Sequence, residues 1–255
     1  PEARNAVHGH DGDGAAPPLS FGQQRLWFLE QLSPGNLFYN VPLAVRLKGD
    51  LDIAALERSL GLVVDRHEVL RTTFETVEGR PAQVIHPDMT IPLPLVDLAG
   101  LSETELREWV TGEVRQPFNM DTGPLLRAEL MRLADDDHVL LIVMHHIVTD
   151  GWSVGLFVQE MAQSYAALVG GREPQLPALP IQYADFAHWQ REWLDGEVLE
   201  QQLDYWKEQL RDLSPMLELP TDRPRPAVQT SNGDTLTFSL PRSLADGLKA
   251  LSQEE

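Results

Sequence analysis

Residues 138–153 read HVLLIVMHHIVTDGWS, and this stretch decides the fold. Its first part, 138–144, is an almost unbroken apolar run, which is typical of a strand buried on both faces of a sheet. A helical pattern follows over 153–169 and ends at the pair Gly170-Gly171. A buried strand, a short polar segment and a long helix in this order predict a sheet covered by helices.

Outward from this stretch, strand and helix patterns are mixed along the chain. Side-chain alternation predicts strands at 41–47, 70–77, 81–86, 125–133 and 235–240. Apolar spacing and capping residues predict helices at 23–32, 53–67, 102–114 and 243–251, and one or two long helices at 181–213 with a possible break at Gly196. These elements predict an α/β fold of the layered α+β kind.

Composition divides the chain into three regions. Residues 1–17 are small, polar and rich in glycine, which is typical of a linker or disordered lead-in. Three prolines within 172–180 predict an extended connector, and we expect a lobe boundary there. The sequence therefore predicts a first lobe at 18–176 and the beginning of a second lobe at 177–255.

Charge and residue usage exclude several classes of protein. The chain has 20 Lys and Arg against 39 Asp and Glu, a formal net charge of −19, which argues against a nucleic-acid partner. No apolar run approaches the roughly 20 residues that span a bilayer, so no membrane partner is expected. With no cysteine, disulfides and thiolate catalysis are excluded. A cytoplasmic enzyme without a bound metal fits this composition.

The polar segment after the apolar run concentrates reactive groups. Histidine suits proton transfer near neutral pH, and backbone N–H groups from Gly151 onward lie at a helix N-terminus, where developing negative charge is stabilised. Consecutive side chains of an extended strand point to opposite faces, so one of the two histidines should be buried. We assign the buried, structural role to His145 and the site to His146.

Two other interpretations of the segment compete with this one. His145, His146 and Asp150 could bind a metal, although adjacent strand histidines diverge and no helical histidine pair accompanies them. The run 151–155 also satisfies Gly-x-Ser-x-Gly, the nucleophile elbow of hydrolases, which would make Ser153 a nucleophile. A helix N-cap role for Ser153 is the simpler explanation, because a long loop separates it from the strand.

At this point the chain resembles a condensation domain of nonribosomal peptide synthetases, within the chloramphenicol acetyltransferase-like superfamily. The segment MHHIVTDGWS at 144–153 is similar to the active-site signature of that family. Three further segments resemble its other motifs in the expected order, namely LSFGQQRLWFL at 19–29, RHEVLRTTF at 66–74 and YADFAHW at 183–189.

The resemblance implies two similar lobes with a tunnel between them, of which this chain holds a complete N-terminal lobe and the start of the second. His146 matches the catalytic histidine, as a general base or a positioning group, and Gly151 offers a backbone N–H beside the reacting thioester. Asp150 matches a structural residue expected to pair with Arg71. Trp152 and Ser153 are expected to line the substrate tunnel.

The implied reaction joins a donor acyl or peptidyl thioester to an acceptor aminoacyl amine. Peptidyl carrier proteins upstream and downstream would deliver both on phosphopantetheine arms, beside an adenylation domain, and the domain itself would bind no cofactor. The residues of these motifs favour the subtype that joins an L-configured donor to an L-configured acceptor, as in antibiotic biosynthesis. The subtype that adds a fatty-acyl starter group remains an alternative. A non-catalytic platform that docks carriers or other partners is the alternative.

Overall fold

The computed structural model describes residues 16–214, 216–217, 219–224, 226–227 and 236–254. The chain forms two compact units, the first ending at Trp206 and the second beginning at Lys207. Most of the predicted lead-in, 1–15, lies outside the described residues. Pro17, at its end, is held in place, because its carbonyl accepts a hydrogen bond of 2.9 Å from the N–H of Gln83.

The described elements mix helices and strands, as the sequence predicts. The helices are α1 (Phe21–Leu32), α2 (Ile53–Arg66), α3 (Glu103–Val114), α4 (Gly151–Val169), α5 (Tyr183–Trp193), α6 (Gly196–Gln209) and α7 (Arg242–Glu254). The strands are β1 (Asn40–Lys48), β2 (Thr72–Val77), β3 (Arg80–Ile85), β4 (Leu95–Asp97), β5 (Leu126–Ala134) and β6 (Asp137–His145). A 3₁₀ helix, Glu68–Arg71, joins α2 to β2.

The main sheet has the order β1-β6-β5-β4. Strand β6 is antiparallel to both β1 and β5, whereas β4 is parallel to β5. The apolar run therefore lies in a central strand, and residues 138–145 are all buried, which confirms that prediction. Strands β2 and β3 form a separate hairpin, in which Glu78 and Gly79 have φ of 52° and 78°, the backbone that a tight hairpin turn requires.

Alternate side chains of β6 enter two different hydrophobic cores. Leu140, Ile142 and Met144 pack in one core together with residues of α2 and α4. Val139, Leu141 and Val143 pack in the other with residues of α1 and α3. The sheet is thus covered on both faces, and the two histidines that follow Met144 must leave it on opposite sides.

Helix caps were predicted correctly in three cases and wrongly in one. Ser20 and Ser102 form reciprocal capping boxes, and Asp52 caps α2. Helix α4, however, begins at Gly151 with Asp150 as its N-cap, so the predicted N-cap role for Ser153 is wrong. The carboxylate of Asp150 reaches the N–H of Ser153 at 2.7 Å, which places Ser153 in the first turn of the helix.

The C-terminal part differs from the prediction in one strand. The predicted strand at 235–240 is wrong for its described part, since 236–240 adopt no strand, and Thr235 lies outside the described residues. Helix α5 follows the predicted lobe boundary at residue 176 and is hydrogen-bonded to Ser20 through Tyr183, and the two-lobe division stays a prediction. The predicted break at Gly196 is confirmed, since α5 ends before it and α6 starts there.

No helix within the described ranges has both the length and the apolar character needed to cross a bilayer.

Candidate functional site

His146 lies at the end of the central strand, with its side chain exposed. Its backbone N–H donates to the carbonyl of Tyr39 at 2.7 Å, which continues the pairing of β6 with β1 by one residue. Its ring lies at the wall of a cavity of about 640 Å³. The imidazole therefore combines a backbone fixed by the sheet with a side chain that a ligand can reach.

The tautomer of His146 follows from its hydrogen bond. Its Nδ1 lies 2.6 Å from the carbonyl oxygen of Thr149. A carbonyl oxygen only accepts, so Nδ1 carries the hydrogen, and in the neutral ring the lone pair is then on Nε2. The loop after β6 thus orients the ring and leaves Nε2 free to accept a proton.

His145 lies on the opposite face, only 2% exposed, as the strand alternation predicts. Its Nδ1 accepts a hydrogen bond from the N–H of Ile147, and the ring lies beside the aromatic rings of Tyr39 and Phe118. Burial, with a smaller contribution from the charge of His146, lowers the pKa of His145 to about 4. The ring therefore stays neutral at physiological pH, and its position in the core is structural.

The N-terminus of α4 forms the second part of the site. Hydrogen bonds from the backbone and side chain of Ser153 hold the pKa of Asp150 below its ordinary value. A Cβ placed on Gly151 would meet no atom within 4 Å. The space above this residue is open, and the first N–H groups of a helix have no partner inside it. A ligand oxygen can therefore approach the helix end closely.

Three of the predicted site residues are placed differently from expectation. Arg71 forms an ion pair with Glu68 at 3.5 Å and donates to the carbonyl of His86 at 3.0 Å. The expected pair with Asp150 is absent among the described contacts, because the Asp150 carboxylate is used as the cap of α4. Trp152 is 87% exposed and does not line the cavity.

Ser153 does line the cavity, together with Asp150. It lies within α4 and not at a turn between strand and helix, which removes the geometric basis of the nucleophile elbow. Within the part of the chain that the structure describes, no group of three or more His, Cys, Asp or Glu side chains could hold a metal ion.

Several cavity residues received no role from the sequence. They come from α1, from the end of α2 and from the segment leading into α5, and include Arg25, His67, Gln182 and Tyr183. Tyr183 is fixed by a 3.0 Å hydrogen bond between its hydroxyl and that of Ser20. All but Gln182 fall inside the segments that resemble family motifs, and this resemblance could have marked them as site residues. The spacing of the motifs along the chain does not show that they meet at one cavity.

His67 belongs to a network behind the cavity wall. Its Nε2 lies 2.6 Å from one carboxylate oxygen of Glu160 in α4, and the Nε of Arg66 lies 3.1 Å from the other. Gln182 donates to the carbonyl of Arg66 and accepts from the N–H of Glu68. The network joins α2, α4 and the segment before α5 into one wall.

The comparisons with known proteins agree on one family. The family model described as Condensation domain matches residues 15–255. A linear gramicidin synthase protein of Brevibacillus parabrevis is 53% identical over 246 residues, which cover 95% of this chain and 3% of that protein.

Two solved structures support the same comparison. The X-domain from teicoplanin biosynthesis, solved in complex with OxyB, matches with a TM-score of 0.79 at 33% identity and covers 88% of this chain and 50% of that one. The first condensation domain of the CDA synthetase matches with a TM-score of 0.72 at 27% identity, covering 82% and 53%. The present chain thus spans about half the length of these solved chains.

Proposed function

Because the chain belongs to the condensation-domain family, we propose that it forms amide bonds between thioester-bound building blocks in nonribosomal peptide synthesis. The observation that carries this proposal is His146, whose ring is oriented by the Thr149 carbonyl and lies at the wall of the cavity. The N-terminus of α4 begins beside it at Gly151. Acyl transfer to an amine requires a proton acceptor and an N–H donor for the developing negative charge, and the backbone N–H of Gly151 is the donor proposed.

The residues would act as follows. The acceptor amine attacks the thioester carbonyl, and the new C–N bond forms as the carbonyl oxygen becomes negative. N–H groups at the start of α4 stabilise that oxygen. Nε2 of His146 takes the proton that the amine loses, and returns it to the thiolate as the C–S bond breaks. The products are an amide and a free thiol, and the histidine ends in its starting state.

The finer assignments are part of the proposal. The reactants would be an L-configured donor and an L-configured acceptor, carried by upstream and downstream peptidyl carrier proteins on phosphopantetheine arms, next to an adenylation domain. The resemblance of the segments at 19–29 and 144–153 to family motifs supports this subtype. The open approach to Gly151 suits a thioester at the end of a narrow arm.

The test is product formation in the intact protein with both carriers loaded. We expect His146→Ala to lower the rate by about 10²–10⁴-fold, the usual contribution of a positioned acid–base group. His86→Ala is the matched control, because its ring lies at Thr73 and does not line the cavity. Mass spectrometry of carrier-bound products measures the outcome, and full condensation by the His146 variant would refute the role of this residue.

A second candidate is recruitment of a partner protein without catalysis. The likeness to the X-domain, which was solved in complex with OxyB, favours it. This function would leave partner binding unchanged in His146→Ala, and neither the variant nor the wild-type protein would form an amide. Condensation by the wild-type protein that disappears in His146→Ala excludes it.

A further inference from the structure

The cavity contains a second imidazole, His67, that the proposed reaction does not use. Its side chain is 19% exposed and lines the same cavity as His146. Its Nε2 faces the carboxylate of Glu160, whose side chain is 8% exposed. A carboxylate accepts hydrogen bonds, so Nε2 donates at 2.6 Å and the neutral ring carries its lone pair on Nδ1.

The environment of His67 is that of an oriented base. Arg66 donates from its Nε to the second oxygen of Glu160, and this charge-assisted contact holds the carboxylate in place. The carboxylate of Glu160 in turn fixes the orientation of the His67 ring. Nδ1 of His67 has no hydrogen-bond partner among the described residues, and the ring belongs to the cavity wall.

Other titratable groups face the same cavity. Arg25 from α1 and Tyr183 from α5 line it, as do His146 and Asp150 from the segment that joins β6 to α4. Of these, the Nδ1 of His146 is bound to Thr149, and Asp150 is bound to Ser153. Each of the two imidazoles therefore has one nitrogen held by the protein and one left for a ligand.

The chemistry of the acceptor explains the need for two bases. An α-amino group has a pKa of about 8, so near pH 7 roughly nine-tenths of it is ammonium. An ammonium must lose one proton before it can attack, and the resulting amine loses another during amide formation. The second proton goes to His146 and then to the departing thiolate, so the first proton needs a separate path from the cavity to solvent.

We infer that His67, held by Glu160, is the base that removes the first proton from the acceptor ammonium before attack. The ammonium transfers H⁺ to Nδ1 of His67 and becomes the free amine, and water then takes the proton from the imidazolium. No bond to carbon changes in this step and no co-reactant is needed. The inference rests on the proposed amide-forming function and assigns a nucleophile class, a protonated primary amine.

The test compares His67→Gln with the wild type in the intact protein, because a glutamine amide can keep the hydrogen bond to Glu160 without acting as a base. Condensation rates are measured near pH 7 and near pH 9 with two acceptor thioesters. One carries an α-amine, and the other carries an aminooxy group, which is unprotonated near pH 7. His86→Gln is the matched control outside the cavity.

We expect the His67 variant to lose about tenfold in rate near pH 7 with the α-amine acceptor and to recover near pH 9, where the amine is already free. With the aminooxy acceptor the rate should be unchanged at both pH values. An equal loss at both pH values and with both acceptors, or no loss at all, would overturn the inference.

Glu160→Gln provides an independent variant should His67→Gln fail to fold. It keeps the shape of the side chain and removes the charge that stabilises the imidazolium, so the same selective loss near pH 7 is expected. A pH-independent loss in this variant contradicts the inference. Failure of the wild-type protein to condense would instead count against the proposed function itself.

Discussion

At the scale of single residues, two adjacent histidines have opposite environments because they follow one another on a strand. His145 enters the core between Tyr39 and Phe118, whereas His146 reaches the cavity. Neither placement needs a special loop, since strand alternation alone produces it. The difference in burial then separates a neutral, structural ring from one that can exchange protons with a ligand.

The lowered pKa of His145 makes a prediction about stability and pH. Its ring binds a proton at about pH 4 in the folded state and near 6.5 when unfolded. Between these values the unfolded chain binds more protons, so the free energy of unfolding should fall as pH decreases, by on the order of 3 kcal/mol in total.

Urea denaturation of the wild type and of His145→Gln across this pH range measures the effect. The variant lacks the titrating ring, and its stability should depend less steeply on pH. Equal slopes for the two proteins would contradict the assignment of His145 as a buried neutral group.

Gly151 allows a clean separation of folding from activity. A methyl group at this position has no atom within 4 Å beyond its own helix backbone and chain neighbours, and alanine is a better helix former than glycine. We therefore expect Gly151→Ala to melt at the same temperature as the wild type or slightly higher, while its condensation rate falls because the methyl group occupies the open space above the helix end. Calorimetry and a product assay on the same preparation test this, and unchanged activity would show that no ligand approaches there.

At the scale of secondary-structure elements, the start of α4 depends on Asp150. Its carboxylate accepts a 2.7 Å hydrogen bond from the N–H of Ser153, and this bond lowers its pKa. We expect Asp150→Ala to destabilise the protein by about 0.5–2 kcal/mol, the typical cost of a lost N-cap.

Asp150→Asn should retain most of the stability, because asparagine is an equally good N-cap. Chemical denaturation of the three proteins measures the difference. The folded state has the lower pKa at Asp150, so its contribution should be present above the unfolded pKa near 3.9 and be lost as pH falls through the folded value. Equal stability of the alanine variant and the wild type would exclude the capping role.

Local sequence patterns predicted most helices and strands, because these elements are determined by residues close together in the chain. The capping boxes at Ser20 and Ser102 and the apolar run of β6 are of this kind. Strand β4 has only three residues and is defined by its pairing with β5, so no periodicity could show it. The region 236–240 has an alternating pattern but no partner strand among the described residues.

The candidate site was predicted where it is continuous in sequence and missed where it is assembled by folding. His145 and His146 lie in one segment, and the structure buries the first and places the second at the cavity, as strand alternation suggests. The Arg71–Asp150 pair was wrong, because local partners at Glu68 and in α4 take both side chains. A long-range ion pair of this kind competes with local hydrogen bonds for the same side chains. The sequence does not show which of these two interactions is made.

At the scale of the whole molecule, the cavity is built from regions far apart in the chain. Helix α1, the end of α2, the loop after β6 and the segment before α5 all contribute to its wall. Tyr183 binds Ser20, and Arg191 donates to the carbonyl of Leu19, so α5 is attached to the start of α1. The chain carries a net charge of −19, yet the lining of its cavity includes the cation Arg25.

The central position of β6 has a consequence for motion. The amide hydrogen of His145 is bonded to the carbonyl of Leu125, and that of His146 to Tyr39, so the residue proposed for catalysis is anchored at the end of the central strand by bonds to both neighbouring chain segments. Deuterium exchange at these two amides should require opening of the whole sheet and proceed as slowly as at 140–144. The amides of Ala178, Leu179 and Ile181, which lie outside any helix or strand, should exchange far sooner. Substrates would then be accommodated by movement of the surrounding cavity wall, while the backbone that carries the imidazole of His146 stays in place.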